Sequence, residues 1–190
     1  MTAGVPPILR AFPDSFESER LMIRAPRPGD GAAVHAAIVE SLDELRPWMP
    51  WAHEERSVEV AETWVREGRA NFDTRRDLPL LLFLREDGSF VGGSGLHRIH
   101  WDVPAFEIGY WVRTSLAGRG YAAEAARRIA EFCFAELGAE RVEIWCDARN
   151  ERSAAVAVRA GFTFEARLNR HRRDTSGGLS DSLCFVRFRD

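Results

Sequence analysis

The sequence predicts one α/β (α+β) domain over residues 1–190, a mixed, mainly antiparallel central sheet flanked by helices. Three observations predict it. Apolar residues recur at helical spacing from about residue 30 to 72, alternate as in strands over 78–113, and return to helical spacing at 121. Glycine- and proline-bearing turns mark each change of period. Finally, 190 residues with 45% hydrophobic content suit one generous core, and no linker, repeat or low-complexity tract divides them.

Residues 20–24 read as a first strand. Pro28, Gly29 and Asp30 supply a turn and a helix cap, and Val34, Ala37, Ile38, Leu42 and Leu45 then share a helical face that stops before Pro47. Ser57 opens a second helix with Val60, Ala61, Trp64, Val65, Gly68 and Phe72 on one stripe. Residues 78–85 and 89–100 are strand-like, with Asp87-Gly88 as a two-residue hairpin signal. After the break at 101–104, residues 105–113 resume the pattern, giving three antiparallel strands in succession. The next helix, 121–137, places Ala122, Ala126, Ile129, Cys133 and Leu137 on one face and stops at Gly138. A strand at 141–146, a short helix at 153–160 ended by Gly161, and strands at 162–169 and 183–188 across the polar loop 174–178 complete the order βααβββαβαββ.

Composition excludes several classes of function. A formal net charge of −3 argues against a nucleic-acid binder held by bulk charge, so no direct nucleic-acid contact is expected; all 26 basic residues are arginine. The longest apolar run, 78–84, is far below the roughly 20 residues of a membrane-spanning helix. Residues 1–10 lack the features of a secretory signal. No membrane association and a cytoplasmic address are expected. Cys133, Cys146 and Cys184 are odd in number and have no ligand-like spacing, so they are expected as ordinary buried thiols, with no disulfide and no metal.

The most informative segment is 116–124, Leu-Ala-Gly-Arg-Gly-Tyr-Ala-Ala-Glu, between a strand and a helix. Its small residues let the backbone approach a ligand, and the helix N-terminus favours a phosphate, so the segment suits a pyrophosphate cradle. Gly118 and Gly120 also fit a plain strand-to-helix turn. No lysine follows as in a Walker loop, and the third glycine of a dinucleotide fingerprint is missing.

Glu107-Ile-Gly-Tyr-Trp111, Gly118-Arg-Gly-Tyr-Ala-Ala-Glu-Ala125, Asn150-Glu-Arg-Ser153 and Ala160-Gly-Phe162 resemble, in order and spacing, successive motifs of the GNAT superfamily of acetyl-CoA-dependent N-acetyltransferases. The branch resembled is the RimJ/RimL type, which includes enzymes acting on N-terminal amines of ribosomal proteins; Leu45-Arg-Pro-Trp-Met-Pro-Trp51 adds to it. The resemblance covers residues 19–187. It implies a GNAT-like sheet with a splay between strands 107–113 and 141–146 that takes pantetheine. The backbone of Ala117, Gly118, Arg119, Gly120, Tyr121 and Ala122 would bind the pyrophosphate, and main-chain groups of Trp111, Val112 and Arg113 would pair with pantetheine amides. Relatives commonly carry Gln or Arg at the position of Ala117, which a main-chain cradle tolerates. A homodimer is also compatible with the resemblance.

Acetyl transfer to an amine needs a neutral nitrogen, a stabilised oxyanion and a departing thiolate. From reference pKa values of about 7.7–8.0 and 10.4, roughly a tenth of α-amines but under ~0.1% of lysines are neutral at pH 7. An N-terminus therefore needs less help, and direct attack suffices without a cysteine nucleophile. Glu107 shares a strand face with Gly109 and Trp111 and is the candidate base, acting directly or through water, or else a glutamate paired with an arginine. His97 and His100 are alternative proton acceptors. Where many relatives carry a thiolate-protonating tyrosine, this chain has Ala157; RimL-like enzymes instead imply the thiol-side role for Ser153, with Asn150 positioning pantetheine. Either residue also suits a helix cap. Trp48, Met49 and Trp51 are the candidate acceptor wall, with packing at the helix junction as the plainer reading. Arg119, Arg149 and Arg152 flank the coenzyme site, and the cluster at 167–173 reads as solvated or partner-facing. The acceptor expected is a protein α-amine such as that of a ribosomal protein; a small amine (polyamine, aminoglycoside or amino-acid derivative), or an acyl-CoA-binding module without catalysis, are the alternatives.

Overall fold

The computed structural model describes residues 5–54 and 57–189. Eight strands form one sheet in the order β1-β2-β3-β4-β5-β6-β8-β7: β1 Ser15–Glu17, β2 Leu21–Arg24, β3 Leu78–Leu84, β4 Phe90–His100, β5 Ala105–Val112, β6 Arg141–Asp147, β7 Thr163–Arg173 and β8 Leu179–Phe188. Among the described strands, only the β5–β6 pair is parallel. The helices are α1 Gly31–Glu40, α2 Leu42–Leu45, α3 Val58–Thr74, α4 Tyr121–Phe132 and α5 Glu151–Arg159. The mixed, mainly antiparallel sheet expected from the sequence is the architecture observed. None of the described helices is long and apolar enough to cross a membrane.

Alternation along the strands sends side chains to two cores. The larger one gathers Leu80, Leu82, Leu96, Phe106, Ile108, Val142 and Ile144 against α4, whose Ala125, Ala126 and Ala130 are small enough to seat the helix close to the sheet. The smaller packs Val34 and Ala37 of α1 and Ala61 and Val65 of α3 onto Leu81 and Phe90. In α3, Ala61, Val65, Gly68 and Phe72 of the predicted stripe are buried, whereas Val60 and Trp64 stay exposed beside it.

Where the structure differs from expectation, long-range bonds are the reason. The single helix expected from 31 to 45 breaks at Ser41, which is buried and whose Oγ accepts the amide of Thr114 at 2.9 Å. Asp30 does not cap α1 with its side chain: its carboxylate takes Arg24, and Glu62 of α3 accepts the amides of Gly29 and Gly31 instead. The β3–β4 connection is longer than a two-residue turn, closing with Leu84 N–H to Ser89 C=O and with Gly88 at φ +74°. Residues 133–137 continue α4 as a π-helical turn before Gly138. Strand β1, unmarked by any periodicity in three residues, is recruited by pairing with β2 and by Phe16 stacking on Phe132 at 4.2 Å. Strands β7 and β8 extend toward a turn closed by Asp174, whose Oδ1 accepts the amides of Ser176 and Gly178. β7 ends the sheet order; it is largely exposed, its register shifts twice, and it carries Arg167, Arg170, Arg172 and Arg173.

Candidate active site

Strand β5 stays paired to β4 as far as Val112↔Gly92, and β6 stays paired to β8 as far as Asp147↔Ser182. Between them, pairing is confined to Ala105↔Arg141, Phe106↔Val142 and Glu107↔Glu143. From Ile108 onward the two parallel strands part, which is the splay that the family resemblance implied. The amide of Arg113 is committed to β4, bonding Val91 C=O at 2.9 Å. Main-chain groups alternate sides along a strand, so those of Tyr110 and Val112 face the opening.

A 3-10 turn, Thr114–Leu116, leads from β5 into the glycine loop, where Gly118 and Gly120 sit at φ +76° and +84°, the left-handed region that glycine enters without penalty. The first bond within α4 runs from Glu124 N–H to Gly120 C=O, so the amides of Tyr121, Ala122 and Ala123 point out of its N-terminus without intrahelical partners. This loop hangs from the end of α1: Glu40 accepts from Arg113 and from the Ser115 amide, bonds that hold its carboxyl at about 2. On the other flank, Arg20 bonds Glu124 and Arg119 C=O and lies 4.5 Å over the Tyr121 ring. Burial opposes ionisation of Glu124, but bonds from Ser18 and Arg20 outweigh it and leave the carboxyl below its usual value. The acid in the first turn of α4 is thereby offset by a guanidinium. Of the three flanking arginines, Arg149 is occupied by Asp147 and Asp174, Arg152 reaches Glu44 at 2.9 Å, and Arg119 bonds Ser115 C=O at 3.4 Å.

Ser153 stands in the first turn of α5. Its amide gives a capping bond to Asn150 Oδ1 at 3.0 Å, and its Oγ lies 3.0 Å from the hydroxyl of Tyr110 across the opening. Asn150 is thus the cap. Burial pushes the Tyr110 phenol well above its ordinary value, so it stays a proton-bearing hydroxyl. Ala157, at the position where relatives carry tyrosine, is fully buried. Cys133, Cys146 and Cys184 are free and buried, and burial raises all three thiols, Cys184 to about 12.

On the opposite face of the sheet, α1, α3 and the 3-10 turn Pro50–His53 roof a cavity of about 590 Å³ whose floor includes Gly93, Gly109 and Tyr110. Met49 and Trp51 line it, and Trp51 lies 6.0 Å from Trp111, the ring that covers Gly93. Trp48 does not join them; it lines a separate depression with Arg149, Asn150 and Arg152. Glu107 shares the strand face of Gly109 and Trp111 as expected, yet it lies outside the cavity lining, with its carboxylate 3.3 Å from Arg98 and 3.9 Å from Arg172. His97 does line the cavity, and its Nδ1 is 2.8 Å from Asp77 Oδ1.

Sequence reasoning passed over Arg20, Asp77, Tyr110 and the cavity side of Trp64. Tyr110 sits within the segment Glu107–Trp111, and its parity in the strand, opposite to Glu107, was the available signal. Arg20 and Asp77 carry no local signal, because each acts on a residue far along the chain or beyond a turn.

The main-chain donors at α4, the glycine backbone and the parted strands fit a coenzyme A thioester. Comparison with known proteins agrees. The acetyltransferase (GNAT) domain family matches residues 20–163. The protein named ribosomal N-acetyltransferase YdaF from Bacillus subtilis (strain 168) is 29% identical over 151 residues, 79% of this chain and 81% of that protein. Among solved structures, Mycobacterium smegmatis RimJ in complex with CoA-disulfide superposes with a TM-score of 0.81 at 26% identity over 92% of this chain and 86% of that one. RimL, a ribosomal L7/L12 alpha-N-protein acetyltransferase solved with coenzyme A, gives 0.83 at 22% identity over 90% and 95%. With the family match spanning most of the chain, the protein belongs to the GNAT acetyltransferases and is an acetyl-CoA-dependent N-acetyltransferase.

Proposed function

We propose that the protein acetylates the N-terminal α-amine of a protein acceptor, of the kind a ribosomal protein presents, in the cytoplasm and by direct transfer. The observation that carries this reading is the position of β5 between two openings. The parting from β6 begins at Ile108, and the cavity on the α1–α3 side is floored by Gly109, Tyr110 and Trp111. Donor and acceptor therefore approach one strand from two sides. The α-amine is favoured over lysine because far more of it is neutral near pH 7, and the names of the relatives point the same way.

Acetyl-CoA supplies an acyl group already activated as a thioester. The amides of residues 118–122 hold the pyrophosphate, that of Ala117, expected to join them, being spent on Thr114 C=O at 3.1 Å; Arg20 is the nearby cation, and the β5 main chain aligns pantetheine. Ser153 delivers a proton on the sulfur side, with the Tyr110 hydroxyl 3.0 Å behind it. Asn150 holds Ser153 in place through the cap. Met49, Trp51 and Trp111 wall the acceptor. The raised thiols support direct transfer, since a buried, protonated sulfur is a poor nucleophile.

Calorimetry with acetyl-CoA and mass spectrometry over a panel of N-terminal peptides, polyamines and aminoglycosides test the reading. Heat from acetyl-CoA and acetylated peptide α-amines are expected. Labelling of small amines alone would replace the acceptor class, and binding without any transfer would make the protein an acyl-CoA-binding module.

A further inference from the structure

The imidazole of His97 lies in a bed made by two glycines that face each other in register, Gly95 on β4 and Gly109 on β5. A Cβ at Gly95 would come within 3.0–3.1 Å of its Cε1 and Nε2, and one at Gly109 within 3.2–3.3 Å of its Cδ2 and Nε2. Any larger residue at either place would displace the ring. Asp77, just before β3, fixes its orientation through the 2.8 Å contact to Nδ1. With Nδ1–H donating to that carboxylate, Nε2 carries the lone pair, and Nε2 has no protein partner among the described residues. The side chain is 43% exposed, and Nε2 lies over Gly109, two residues past the last β5–β6 pair. An oriented, accessible base thus stands on the cavity floor where the sheet opens.

Resting on the transferase reading above, we propose that His97, positioned by Asp77, is the base that removes the proton from the acceptor amine. The acceptor nitrogen forms the C–N bond as the C–S bond breaks. Of the two protons an α-ammonium must lose, one goes to His97 Nε2 and from there to water. The other ends on sulfur at the Ser153 side. The resulting imidazolium is stabilised by Asp77. The titratable groups that share its surroundings are His35 from α1, Glu54 just after the 3-10 turn, Glu67 from α3, Tyr110 from β5 and Asp77, with Arg98 next in β4 and Glu107 opposite in register. Glu107 faces two arginines and does not line the cavity, so an amine entering there meets His97 first.

The test compares kcat across pH for wild type, H97Q, D77N and E107Q with a peptide acceptor at saturation, beside acetyl-CoA calorimetry and thermal unfolding of each. The kcat profile reports groups within the bound complex. Wild-type kcat should fall as pH is lowered, because protonated His97 accepts nothing. H97Q should lose that acidic limb and about 100-fold or more in kcat, with acetyl-CoA affinity within twofold of wild type. D77N should lose about tenfold in kcat with KM nearly unchanged, and it carries the test if H97Q does not fold. A folded H97Q with wild-type kcat and an intact limb overturns the proposal, as does a limb lost in E107Q alone. Absence of turnover by wild type over the whole acceptor panel fells the transferase reading itself, whereas turnover insensitive to His97 fells only this assignment.

Discussion

The two sides of β5 are built of different material. Toward α4 the donor site is main chain: unpaired strand edges from Ile108 onward and the outward amides of Tyr121, Ala122 and Ala123. Toward α1 and α3 the cavity proposed for the acceptor is side chain, drawn from helices, a 3-10 turn and three strands. A backbone site tolerates substitution as long as its dihedrals survive, whereas a side-chain site changes with every residue that lines it. On the proposed assignment, one strand therefore presents a fixed surface to the donor and an adjustable one to the acceptor.

Gly120→Val should break the donor side most severely. A β-branched residue is strained at φ +84°, and loss of two charge-assisted amide bonds, each worth about 1.5–3 kcal/mol, should raise the acetyl-CoA Kd by about 100-fold or more. Calorimetry reads this directly, and a change in amine KM with acetyl-CoA Kd unchanged would contradict the division between the two sides. Ser153→Ala should lower kcat by about 10- to 100-fold at unchanged Tm, because Asn150 and not Ser153 supplies the cap; Asn150→Ala should cost about 1 kcal/mol in unfolding experiments. Gly93→Ala should sharpen the contrast from the other side. Its Cβ would lie 2.5 Å from Trp111 Nε1, so the ring must move, and amine KM should rise by about tenfold while acetyl-CoA Kd stays constant.

The smallest effect belongs to the strut between the two sides. Glu40 has its carboxyl lowered from 4.5 to about 2 by Arg113 and Ser115, so its contribution to stability is complete above its ordinary value and is lost as pH falls toward 2. Glu40→Gln should remove that part of the acid sensitivity, at about 1 kcal/mol for a partly exposed pair. Thermal unfolding of both proteins between pH 7 and 3 checks it.

The donor side was legible because its determinants are contiguous. Gly118, Gly120 and the start of α4 fall within a few residues, and the positive dihedrals that require glycine are local facts. The alternation that placed Glu107, Gly109 and Trp111 on one face was equally local. What surrounds Glu107 was not: Arg98 reaches it from a positive φ next to a bulge, and Arg172 from a strand joined to the site only through β8. The same limit hid Asp77, which reads as an ordinary turn residue until β4 folds back beside it. Trp48 and Trp51, three residues apart, part company because the chain enters a 3-10 turn between them. The break at Ser41 required a loop more than seventy positions away.

The arginine-rich rim of β7 bears on how the molecule behaves in a crowded solution. A terminal strand with free main-chain groups is a template on which a foreign chain can add, the first event in fibrous aggregation. Here that row is interrupted by two register shifts and a left-handed Arg170, and it is studded with like charge, while the strand at the far end is only three residues long. Neither terminus offers a smooth surface for growth, and self-association through added strands is disfavoured at both.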